Sequence, residues 1–242
     1  MTFSAVVAQD GGAALKVSWF KVDGVDGYLI YDDRSGSLEV VDTLWGDTAT
    51  SYTFTEPCTQ VGVSTMLDGE AGDPTVLYLD LVTRDTVVIY SVQDTTPGHK
   101  GYFAIGLDSA KVFLFDSSER HNSQGYIDGP PDSLLVNTSY PLYTDGSSFR
   151  ICLDTTAGSL EEMHEAPPPE YSGWTDYNHH DGVRLKPGDR FYIWVDECGV
   201  GQPGWSGLDL FGKGEVLWVN GYEIAFRFKF QTSVQALRWM VE

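Results

Sequence analysis

Leu15-Lys-Val-Ser-Trp-Phe20, Gly27-Tyr-Leu-Ile-Tyr31, Ser51-Tyr-Thr-Phe-Thr55 and Gln60-Val-Gly-Val-Ser64 are short runs in which apolar and polar residues alternate. A strand with one buried face requires this period of two, because successive side chains leave the backbone on opposite sides. Turn chemistry separates the runs. Gly24-Val-Asp-Gly27 joins the first to the second, and Asp68-Gly-Glu-Ala-Gly72 precedes a further run, Thr75-Val-Leu-Tyr-Leu79. Leu15 to Pro74 therefore reads as one small β-sandwich.

Strand-like runs continue downstream. Leu77-Tyr-Leu-Asp-Leu-Val82 passes into Thr86-Val-Val-Ile-Tyr-Ser-Val92 without a Pro/Gly-rich linker. Others start at Gly101, Ala110, Ser133, Ser148, Arg190, Glu215 and Tyr222. Such a set of antiparallel strands over residues 82–242 suits a jelly roll or an enlarged sandwich. Leu185-Lys-Pro-Gly-Asp-Arg190 supplies a chain reversal before a strand, and Gly212-Lys-Gly214 reads as a hairpin turn. In Ala225-Phe-Arg-Phe-Lys-Phe230 the phenylalanines share one face. Arg227 and Lys229 share the other, which meets solvent or an acidic partner. Only Gly158–His164 and Ser233–Leu237 offer a helical turn. The expectation is an all-β chain.

The first sandwich resembles the fibronectin type III domain. The residues that carry the resemblance are Trp19, Gly27 to Tyr31, Ser51-Tyr52-Thr53-Phe54, Val61 and Val63, with Gly69 or Gly72 as the loop glycine after the sixth strand. Where the family opens its sixth strand with a tyrosine, this chain departs, with a residue near Thr59 in that place. The resemblance covers about a third of the chain and implies a display or spacer module without chemistry of its own. The alternative is an unrelated sandwich with the same alternation. The fold expected is thus a fibronectin-III-like β-sandwich over residues 1–81 and a larger jelly-roll or β-sandwich domain with long loops over 82–242.

With 35 acidic and 15 basic residues in 242, the net charge is −20. That surface repels phosphate backbones, so nucleic acid is an unsuitable partner. No run approaches the ~20 apolar residues that span a bilayer, and the first residues lack a basic start and a long apolar core, so no signal peptide is expected. Cys58, Cys152 and Cys198 lie far apart, without metal-knuckle spacing. Reduced, buried thiols are the default expectation, with a Cys152–Cys198 bridge as the alternative.

Two connections exceed ordinary turns: Asp116 to Asp132, which contains His121 and Pro130-Pro131, and Thr155 to Gly182. The second holds Pro167-Pro-Pro169, Tyr171, Trp174, Tyr177 and His179-His180. Tyr171, Trp174 and Tyr177, with Trp205 from a glycine-rich loop, are the candidate ligand-binding residues, since aromatic faces stack on sugar rings or anchor interfaces. The alternative is that they fold back and cap the core. Glu161, Glu162, Glu165, Glu170, Asp176 and Asp181 offer carboxylates for glycan hydrolysis, but no pair is marked out. His179 and His180 beside Asp176 and Asp181 are weak metal candidates, against a plain polar turn. No nucleophile elbow or phosphate-cradling loop occurs. No catalytic residue, cofactor or metal is therefore expected.

A display-type module without an export signal suits a particle assembled inside a cell. The whole chain looks like a virion structural or accessory protein of a tailed bacterial virus: a head decoration, tail or fibre component. The implied partners are other virion proteins, further copies in a homo-oligomer and a host-surface glycan. The alternative functions are a carbohydrate-binding or receptor-binding module and, less well supported, a glycan hydrolase.

Overall fold

A computed structural model describes residues 1–99, 101–106, 111–115, 125–138, 148–175, 182–196, 205–206 and 208–242. Its strands run antiparallel throughout, and among the described residues the helical structure is one 3-10 turn, Asp10–Gly12. The chain is all-β. Ser233–Leu237 and Gly158–His164 are bends and turns.

The first sandwich is built from β1 (Phe3–Gln9), β2 (Ala14–Trp19), β3 (Gly27–Asp32), β4 (Glu39–Trp45), β5 (Ser51–Phe54), β6 (Gln60–Leu67), β7 (Glu70–Ala71) and β8 (Thr75–Tyr78). One sheet has the order β1-β2-β5. The other has the order β4-β3-β6-β7, with β8 also pairing β6. The alternation read from sequence faces the core: Leu15, Val17, Trp19, Tyr28, Ile30, Phe54, Val61 and Val63 are buried in one cluster. Trp19 and Tyr28 lie with ring centroids 5.3 Å apart, and the Tyr28 hydroxyl accepts the Val22 N–H.

At the end of this sandwich, the Asp33 carboxylate ties down the chain entering β6. It accepts the Thr59 and Gln60 N–H groups at 2.9 and 3.0 Å, and the Thr59 hydroxyl as well.

The remaining strands are β9 (Leu81–Tyr90), β10 (Tyr102–Gly106), β11 (Lys111–Phe115), β12 (Gly125–Asp128), β13 (Leu135–Thr138), β14 (Ser148–Asp154), β15 (Val183–Arg184), β16 (Arg190–Asp196), β17 (Leu210–Asn220) and β18 (Glu223–Gln231). They form two five-stranded sheets of order β14-β16-β17-β18-β9 and β11-β10-β12-β13-β15. Between them lies a core that includes Phe103, Ile127, Phe149, Phe191, Ile193, Phe226, Phe228 and Phe230. Phe103 and Phe149 meet edge to face across it, with centroids 4.9 Å apart. The connection Asp116 to Asp132 is not one long loop, because β12 lies within it.

Gly212-Lys-Gly214 is not a turn either. It runs through β17, opposite Phe230 and Phe228 of β18. A Cβ on Gly212 would lie 2.5 Å from the Phe230 ring, and one on Gly214 would lie 2.6 Å from Phe191. The glycines leave room for the aromatic rings of neighbouring strands, a role that sequence alone does not separate from a turn.

The sheet containing β16 is covered on its second face too. Tyr192 and Trp194 point away from the inter-sheet core into a further cluster with Cys152, Phe211, Leu160, Met163, Trp174 and Met240. Burial on both faces explains why Phe191-Tyr-Ile-Trp-Val195 is apolar without a break. The cover is residues 155–175 together with a strap, residues 232–242, that follows β18.

Candidate functional site

The strap crosses between the sandwiches. Val234, Ala236, Leu237 and Trp239 complete the core of the first, whereas Met240 sits in the cover of the second. Buried polar groups fasten it. The Arg238 backbone N–H donates to the Gly12 carbonyl at 3.0 Å and its Nε to the Gly11 carbonyl at 2.9 Å. Its other nitrogens reach the Ala166 carbonyl and, at 2.8 Å, Glu165. The Trp239 indole donates to the Ala13 carbonyl at 3.1 Å. Gly12 has φ of +86°, and a Cβ there would stand 2.3 Å from the Ala236 carbonyl oxygen, so the turn against the strap requires glycine.

Beneath the strap, the fully buried Lys213 ammonium donates to the Met240 and Met163 carbonyls at 2.7 and 3.2 Å and pairs with Glu242 at 2.7 Å. Burial lowers the Lys213 pKa from its ordinary value, and the neighbouring Glu242 charge only partly offsets this. For Glu242, burial acts upward, but bonds from Lys213 and Lys229 outweigh it and hold the carboxyl below its usual range. The basic face read for β18 is therefore met by the chain's own acids. Lys229 pairs with Glu242, and Arg227 pairs with Asp85 at 2.9 Å.

Where the strap passes the first sandwich, a cleft of about 630 Å³ opens. Asp33, Arg34, Glu56, Thr59, His164 and Glu242 contribute to its lining. Its charges are largely spent internally: Arg34 bonds Asp32 at 2.7 Å and also reaches Glu56. Cys58 lies in the wall as a free, buried thiol, and burial pushes its pKa up to about 12. It stays protonated at neutral pH, unsuited to nucleophilic attack. Cys152 is also free, pushed up by burial to about 11, so the alternative of a Cys152–Cys198 bridge is not realised.

The described aromatic candidates, Tyr171, Trp174 and Trp205, do not share an exposed face. Trp174 is buried, packed edge to face on Trp194 with centroids 5.7 Å apart, and its indole donates to the Pro168 carbonyl at 3.0 Å. Trp205 is half-buried, donates to the Ala236 carbonyl at 3.1 Å and packs against the strap cluster. Tyr171 is half exposed. Tyr177 lies outside the described residues, as do His121, Asp176, His179, His180, Asp181 and Cys198.

The described acids of the long connection have structural partners or face solvent. Glu162 accepts the Gly158 N–H at 2.6 Å, Glu165 pairs with Arg238, and Glu161 lies 3.9 Å from Lys229. Among the described residues no cluster of histidine, cysteine and carboxylate has metal-holding geometry, and no helix is long and apolar enough to cross a membrane.

Sequence reading missed Lys213, Arg238 and Glu242. The available signal was Ala236-Leu-Arg-Trp-Met240, a dense apolar run after the last alternating strand that needed a place to be buried. Comparison with protein-family models and with curated proteins finds no match for this chain.

Proposed function

We propose that this chain is a non-enzymatic structural or accessory component of a virion, a head decoration, tail or fibre protein serving assembly and attachment. The observation that carries the reading is the strap. Trp239 fills one sandwich, Met240 covers the other, and Arg238 bonds both sides between them. Such a cross-tie suits a body that transmits position between two attachment points more than one that opens and closes around a substrate. The order β1-β2-β5 against β4-β3-β6-β7 supports a fibronectin-type display module as the first sandwich. Glycan stacking by residues 171–177 and 205 would need aromatic faces that Trp174 and Trp205 spend on packing.

Virions purified from cells that make the protein test this reading by quantitative mass spectrometry and immunogold electron microscopy. The expected result is a fixed ratio to the major shell protein, with gold at one recurrent position. Protein that stays wholly in the lysate while particles mature without it overturns the reading.

A further inference from the structure

The first sandwich leaves one edge open. β4 ends the order β4-β3-β6-β7, and among the described residues nothing pairs with its far side. Val40, Val41 and Trp45 on this strand are 49%, 38% and 74% exposed. Val40 and Val41 both reach solvent because the register slips there: Ile30 faces Asp42 and Tyr31 faces Val40, leaving Val41 extra. Edge strands that must stay solitary are commonly blunted by lysine or proline. β4 carries neither. Its polar residues include Glu39 and Asp42, and the Asp42 carboxylate accepts the Thr43 N–H at 2.7 Å.

We propose that the outer edge of β4 receives an extended, basic segment of another protein by strand addition, in which lysine or arginine alternates with apolar residues. Main-chain bonds of an added strand supply affinity, and alternate side chains supply selectivity. Here the selectivity lies in Asp42. A neutral strand must displace its carboxylate from the Thr43 N–H and leave it with the Tyr52 hydroxyl alone. A strand that brings an ammonium or guanidinium alongside gives the freed carboxylate a new ion pair. Val40, Val41 and Trp45 then cover the apolar side chains of the incoming strand. A second copy of β4 is a poor occupant, because antiparallel self-pairing about its middle sets Asp42 against Asp42 on chains of net charge −20. This inference deepens the attachment reading and rests on it, naming where an assembly neighbour docks and with what chemistry.

The test uses the full chain and synthetic peptides of about eight residues, an ordinary strand length, in which lysine alternates with valine and threonine. Glutamate counterparts serve as controls. Amide shifts in nuclear magnetic resonance and fluorescence anisotropy read the binding. The lysine peptide is expected to shift β4 amides and bind at least about tenfold tighter than the glutamate peptide, which corresponds to about 1.4 kcal/mol. Asp42→Lys should reverse that preference. Thr43→Pro, which removes the N–H at a position where an edge strand tolerates proline, should abolish binding with an unchanged melting temperature. Trp45→Ser should weaken it severalfold.

Equal binding of the two peptides, or undiminished binding by Thr43→Pro, overturns the proposal. So does a wild-type dimer in light scattering that Thr43→Pro makes monomeric, since the occupant is then a second copy. The virion experiment is independent of these outcomes. A chain found in no particle that still prefers the lysine peptide overturns the attachment reading and leaves the edge site standing.

Discussion

Trp174 shows how a residue picked out for binding is claimed by packing. An indole in a long proline-rich connection has the chemistry of a sugar platform, and nothing in its local sequence says which way it turns. The structure turns it onto Trp194 and gives its N–H to the Pro168 carbonyl. Trp174→Ala is expected to cost about 3–5 kcal/mol, the range for truncating a buried tryptophan. Tyr171→Ala, at a half-exposed position, should change stability by no more than about 0.5 kcal/mol. Denaturant melts of the two variants measure both. Equal stability of Trp174→Ala and wild type would return that side chain to the list of ligand contacts. Lys213 belongs to the same scale. Its sequence neighbours Gly212 and Gly214 suggest an exposed turn, yet its ammonium is buried among carbonyl oxygens and the Glu242 carboxylate.

At the scale of elements, clean alternation made several strands legible, whereas two bulged strands of the first sandwich were not. β2, β3, β6 and β18 keep a period of two over the residues that line the core. β1 and β4 were missed because each contains an extra residue: the register of β1 slips between Phe3 and Ala5, and that of β4 at Val41. A bulge shifts every later side chain to the other face, so the pattern cancels within a short window. β17 was cut short for a different reason. Gly212 and Gly214 look like punctuation, but they accommodate the rings of Phe230, Phe191 and Phe228. Gly214→Ala should therefore destabilise the protein by about 1–3 kcal/mol through overpacking, read as a lowered melting temperature. A turn at this position would tolerate alanine.

At the scale of the molecule, the strands divide at Asp80 while the strap crosses back. A division at residue 81 leaves the first sandwich without Val234, Ala236, Leu237 and Trp239, all buried in its core. Residues 1–81 expressed alone are expected to melt without a cooperative transition and to bind a hydrophobic dye, whereas the full chain melts sharply. A sharp melt of the fragment would show that β1–β8 suffice. The same wiring separates what stayed open in the sequence from what did not. Local alternation has a range of a few residues, and the contact between Arg238 and Gly11 spans nearly the whole chain.

The sequence by itself determined the all-β class, the inward faces of the main strands and an acidic surface, because each follows from side-chain chemistry repeated at a short, regular spacing. Only the tertiary structure decided that the candidate tryptophans pack against the body, that Lys213 is buried and paired, and that the strap joins both cores. Those outcomes depend on which distant surfaces meet. A residue with two physically acceptable environments, water or a neighbouring core, carries no local mark of which one the fold supplies.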